Sequence, residues 1–185
     1  TALEQGFAPV LTQLGKTKFS SVVTLVKKFH NKKKLSTKEK LALVAYPQLA
    51  ATLTILNLEK CRLKALPAAM GNLTELQLLY LFQNKITEFP PHLRQLRRLE
   101  RIYLEHNHLN TFPSFLLDLP NLRGISISDN KIKTLPADIH RITAMEDLGL
   151  SNNKLQELPE AITQLQQLSS LRLGNSPIHR LPTHI

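Results

Sequence analysis

From Leu53 onward the chain repeats itself every 23 residues without slippage, and this periodicity limits its fold more than any other feature. One column reads Cys61, Asn84, Asn107, Asn130, Asn153, Ser176, and another reads Pro67, Pro90, Pro113, Pro136, Pro159, Pro182. Apolar columns run beside them: Leu53, Leu76, Leu99, Leu122, Met145, Leu168, then Leu58, Leu81, Leu104, Ile127, Leu150, Leu173. Six registers agree, giving units 53–75, 76–98, 99–121, 122–144, 145–167 and a short 168–185. A unit this short cannot bury its own leucines, so stacked units must share one continuous core.

The columns also set local geometry. In Leu79-Tyr80-Leu81-Phe82, alternate side chains of a strand face opposite ways, which sends Leu79 and Leu81 inward and Tyr80 and Phe82 outward. The Asn column is expected to satisfy buried backbone groups where the chain leaves the strand, with Cys61 as a weaker opening member. Parallel strands about 4.8 Å apart predict a concave sheet roughly 24 Å wide.

The motif L-x-x-L-x-L-x-x-[N/C]-x-L-x-x-L-P-x-x-I/L-x-x-L resembles the leucine-rich repeat, most clearly at Leu76-Gln77-Leu78-Leu79-Tyr80-Leu81-Phe82-Gln83-Asn84. Its 23-residue unit with Leu-Pro after the Asn is similar to the Ras-scaffold and plant Ras-group class, which many bacterial proteins also carry. The resemblance implies an α/β fold: a leucine-rich-repeat solenoid, curved, with a parallel concave β-sheet.

Residues 1–52 show no repeat and are expected to form a Lys-rich helical N-terminal cap over the first unit, leaving 53–185 for the six repeats. Phe19, Val22, Val23, Val26 and Phe29 fall at helical spacing, and Ser36-Thr37-Lys38-Glu39 reads as a capping box for a second helix. The formal charge of +10 is uneven, with +7 carried by residues 1–50. Lys27, Lys28, Lys32, Lys33 and Lys34 make a candidate electrostatic patch for nucleic acid or anionic membrane. No aromatic is interleaved among Lys32–Lys40 to stack bases, so this stands as the alternative reading.

Function is expected at outward strand positions, which the core leaves free to vary. The three outward columns begin Ile55, Leu78, Arg101, Gly124; Asn57, Tyr80, Tyr103, Ser126; and Glu59, Phe82, Glu105, Ser128. Repeats 2 and 3 thus present Leu78, Tyr80, Phe82, Arg101 and Tyr103, the aromatic-plus-arginine chemistry of interface hot spots. Repeats 4 and 5 present Gly124, Ser126, Ser128, Gly149 and Ser151, expected to leave a shallow floor for a bulky partner element. Phe115 and Leu117 mark a candidate second contact on the convex side, and Arg94, Arg97 and Arg98 a basic edge.

These features point to a non-catalytic protein–protein interaction module with a protein partner on its concave face. A helical leader before cytosolic-type repeats also looks like the effectors that intracellular bacteria deliver into host cells, which implies a host-protein target. One such group joins the leader to a ubiquitin-ligase domain; its repeats are shorter than these. A substrate-recognition arm of a larger enzyme such as a ubiquitin ligase is a further alternative.

Catalytic and metal motifs are weak. Gly15-Lys16-Thr17 imitates the end of a phosphate loop, but the required earlier Gly is Val10. His106-Asn107-His108 has no third metal ligand at an assured position. Asn72-Leu73-Thr74 matches a glycosylation acceptor with a core leucine inside it. No cofactor, metal or small-molecule substrate is indicated. The single Cys61, with no secretory layout at Thr1–Gln5, implies a reducing, cytoplasmic setting, or the host cytosol for a delivered protein.

Overall fold

A computed structural model describes residues 52–183. The proposed leader, including Lys27, Lys28, Lys32, Lys33 and Lys34, lies outside the described residues.

Six three-residue strands, β1 (Ile55–Asn57), β2 (Leu78–Tyr80), β3 (Arg101–Tyr103), β4 (Gly124–Ser126), β5 (Asp147–Gly149) and β6 (Ser170–Arg172), form one sheet in sequential order. Every neighbouring pair is parallel and every register shift is one repeat, as in Leu78 opposite Arg101 and Tyr80 opposite Tyr103. Register follows from alternation: slipping by one residue would turn Leu79 and Ile102 out and bury Tyr80 and Tyr103. The strand centres Leu56, Leu79, Ile102, Ile125 and Leu148 are all buried.

The returning legs are 3₁₀ rather than α-helical: η1 (Ala68–Asn72), η2 (Pro91–Gln95), η3 (Ser114–Asp118), η4 (Ile139–Arg141) and η5 (Glu160–Gln164). The reason is in the spacing. Apolar residues recur every three, as in Met70, Leu73 and Leu76, matching three residues per turn. Hydrogen bonds step the same way, Met70 N to Pro67 O at 3.0 Å, Leu73 N to Met70 O at 3.2 Å and Leu76 N to Leu73 O at 3.0 Å. The recurring prolines set the extended entry, with Pro67, Pro90, Pro113 and Pro159 at φ between −66° and −68°.

The Asn column forms a continuous ladder. Asn107 Nδ2 donates to Leu81 O at 2.9 Å and to Leu104 O at 3.0 Å, and its Oδ1 accepts from Ile86 N at 3.0 Å. Asn84, Asn130 and Asn153 repeat this pattern, each tying its own coil to the one before. Cys61 opens the ladder: its N–H donates to Asn84 Oδ1 at 3.1 Å and its thiol to Glu59 O at 3.2 Å.

One expectation is corrected. Phe115 and Leu117 are not an exposed convex contact; they are 6% and 9% exposed. Phe115 tilts against Phe89 at a ring-centroid distance of 5.3 Å, because the third leg uses a large residue where the others have small or polar ones and folds it into the core.

Candidate protein-binding face

All three outward columns stand on one face of the sheet. Leu78, Tyr80, Phe82, Arg101 and Tyr103 come together there, on β2, β3 and the residue beyond β2, and all five are half-buried. The rings of Tyr80 and Tyr103 stack with centroids 4.7 Å apart and planes 2° from parallel. Beside them Lys60 Nζ lies 6.0 Å from the Phe82 ring centroid, a cation held over the aromatic face. Glu105 is next to Phe82 in the outermost column, and its buried Oε2 accepts no hydrogen bond from any described residue.

Ser126, Ser128, Gly149 and Ser151 follow on repeats 4 and 5, but the floor they were expected to leave bare is partly covered. Arg101 lies over Gly124, and Arg172 lies over Gly149. Small residues leave room on a sheet, and long guanidinium stems from the neighbouring strands occupy it. The heads are then held by acids: Arg101 Nη2 is 3.7 Å from Glu146 Oε2, and Arg123 Nη1 donates to Glu146 Oε1 at 2.7 Å. Arg172 Nη2 donates to Asp147 Oδ2 at 3.2 Å, and its Nη1 forms an ion pair with Oδ1 at 3.2 Å without a hydrogen bond. The face therefore has an aromatic half on repeats 2 and 3 and an acid–arginine lattice on repeats 3 to 6.

Sequence reasoning missed a second feature at the rim. Lys60, Gln83, His106, Asp129, Asn152 and Asn175, each just before the ladder position, have left-handed backbones with φ of 53–58°. Their side chains form an outer row: Asn175 Nδ2 donates to Asn152 Oδ1 at 2.8 Å, Asn152 Nδ2 to Asp129 Oδ1 at 2.9 Å, and His106 Nε2 is 3.6 Å from Asp129 Oδ2. Asn and Asp accept this conformation readily. Asn107, between His106 and His108, is buried in the ladder, so the His-Asn-His triplet has its middle residue committed to structure.

The family model for Leucine rich repeat matches residues 51–109 and 120–178, more than half of the chain. The chain is a leucine-rich repeat protein. Among solved structures, a leucine-rich repeat protein of Leptospira interrogans is 30% identical, with a TM-score of 0.60 over 75% of this chain and 41% of that one. A plant peptide hormone receptor, solved in complex with RGF2, is 29% identical, with a TM-score of 0.59 over 72% of this chain and 22% of that one. An internalin of Listeria monocytogenes shares the fold at 21% identity, with a TM-score of 0.59 over 73% of this chain and 43% of that one. This leucine-rich repeat chain thus spans less than half the length of each of these structures. No curated protein matches it. The leucine-rich repeat fold is typical of protein–protein interaction modules and is in general a non-catalytic scaffold.

Proposed function

We propose that this leucine-rich repeat chain binds a protein or peptide partner on its concave face, with Tyr80, Phe82 and Tyr103 as anchors, Leu78 beside them and Arg101 as a charged contact. One observation carries the reading: two tyrosines from successive repeats are stacked on the outer side of the sheet, where the core gives no reason for an aromatic pair. Large rings already fixed by stacking lose little rotamer freedom on binding, which favours them as anchors. Ser126, Ser128, Gly149 and Ser151 line the continuation of the same surface, reached past Arg101 and Arg172.

The reading extends to a partner met in a reducing cytosol, supported by the single cysteine of the sequence, Cys61. It extends further to a host-protein target, supported by the resemblance to delivered bacterial repeat proteins. The plant peptide hormone receptor solved in complex with RGF2 supports the general mode, a peptide partner.

Site-specific photo-crosslinking tests it. p-Benzoylphenylalanine is placed at position 103 on the concave face, and in a second variant at exposed position 164 on the η5 leg. A polypeptide captured from position 103 and absent at 164 supports the reading; equal capture, or capture from 164 alone, refutes it.

A further inference from the structure

The turn after η3 differs from its counterparts. In repeats 2 and 5 the residue after the C-cap leucine donates back to the chain, Arg97 N to Gln95 O at 2.8 Å and Gln166 N to Gln164 O at 3.0 Å. The equivalent residue of repeat 3 is Pro120, which has no N–H to give. Leu119 is extended there, with ψ of 104°, against 55° at Leu96 and 77° at Leu165. The flanking bonds are long: Leu119 N to Leu116 O and Leu122 N to Leu119 O are both 3.4 Å.

At this irregular turn a cavity of about 690 Å³ lies on the outer side of the coil, bridging the legs of repeats 2, 3 and 4. Leu117 and Pro120 contribute its apolar lining, Arg94 and Arg97 come from the preceding leg, and Arg141 and Thr143 from the following one. The arginines are not equivalent. Arg141 is committed, with Nη2 2.6 Å from Asp118 Oδ1 and Nη1 3.1 Å from Asp138 Oδ2. Neighbouring Arg98 is committed to Glu75 at 2.6 Å. Arg94 and Arg97 make no ion pair with any described residue, and both are exposed.

We propose that this depression is a second docking site, separate from the concave face, for an acidic peptide segment of a partner. A carboxylate meets Arg94 and Arg97, whose planar forks suit it, and an adjacent aliphatic side chain lies on the exposed ring of Pro120, with buried Leu117 as the floor beneath. Charge complementarity selects the occupant: two cations paired with no carboxylate among the described residues, beside an apolar lining, call for one negative charge next to a hydrocarbon group. A phosphate dianion fits less well, because the Asp118 carboxylate shares the lining.

Fluorescence anisotropy at low salt tests this with two capped, labelled hexapeptides, Glu-Leu-Glu-Leu-Glu-Leu and its uncharged Gln-Leu-Gln-Leu-Gln-Leu counterpart. The full chain should bind the acidic peptide at least tenfold more tightly. Arg94→Ala/Arg97→Ala should abolish that preference, while the charge-matched Lys131→Ala/Lys133→Ala variant keeps it and so excludes a general effect of net charge. Tyr80→Ala/Tyr103→Ala should keep it too, which separates this site from the concave one. Equal affinity for the two peptides, or an acidic preference that survives loss of both arginines, overturns the proposal.

Discussion

The guanidinium of Arg101 lies over Gly124: a Cβ at position 124 would stand 3.0 Å from its Nη1 and 3.1 Å from its Cγ. The glycine is therefore a seat for the arginine of the neighbouring strand. Gly124→Val should unseat a flexible side chain and leave the backbone in place, while adding a residue that suits a strand. Its exposed contact with Glu146 is a weak one, so unfolding free energy should change by less than about 1 kcal/mol. Urea denaturation checks this; a loss of several kcal/mol would mean that the coils pack more tightly here than described.

Gly71→Ala should behave in the opposite way. Its Cβ would fall 2.7 Å from Gln95 Oε1 and 2.8 Å from the backbone oxygen of His92. A side-chain amide can swing aside, but the carbonyl of η2 cannot move without shifting a whole leg. The expected cost is about 1–3 kcal/mol, read as a lower urea midpoint at unchanged slope.

Asn107→Ala tests the ladder. Leu81 O keeps Asn84 as a donor and Leu104 O keeps Asn130, so neither carbonyl is orphaned. The Ile86 N–H, however, loses Asn107 Oδ1 in a buried setting. One orphaned donor, the three lost Nδ2 bonds and a small void should together cost about 2–4 kcal/mol by chemical denaturation. A cost under about 0.5 kcal/mol would show that the ladder contributes little.

Much of this geometry could be read from the sequence, because the physics that sets it is periodic. Leu79 faces inward and Tyr80 outward for the same reason in every coil, so the concave columns followed from alternation alone. Other features did not. The left-handed position recurs in every coil, but Lys60 and Gln83 are residue types that do not announce it. Phe115 looked exposed because its column is elsewhere small or polar; only the nearby Phe89 explains why it turns inward. Gly124 and Gly149 read as open floor, since a column of residue types does not show which neighbour's long side chain bends over it.

The Tyr80–Tyr103 stack should be measurable in stability as well as in binding. A double-mutant cycle with Tyr80→Ala and Tyr103→Ala isolates the pair from its burial. Coupling of about 0.5–1.5 kcal/mol in favour of the pair is expected, by analogy with other aromatic pairs. Zero coupling would mean the rings are neighbours without attraction.

The most direct test of the central claim is quantitative affinity capture from nuclease-treated lysate with mass spectrometry. It compares the wild-type chain, Tyr80→Ala/Tyr103→Ala, and a variant with Lys32, Lys33 and Lys34 neutralised. A concave binding face predicts a protein retained by wild type and by the lysine variant, and depleted about thirtyfold or more when both tyrosines are removed, as for hot spots of about 2 kcal/mol. Retention that ignores the tyrosines and vanishes with the lysines would contradict the account and move the site to the basic leader.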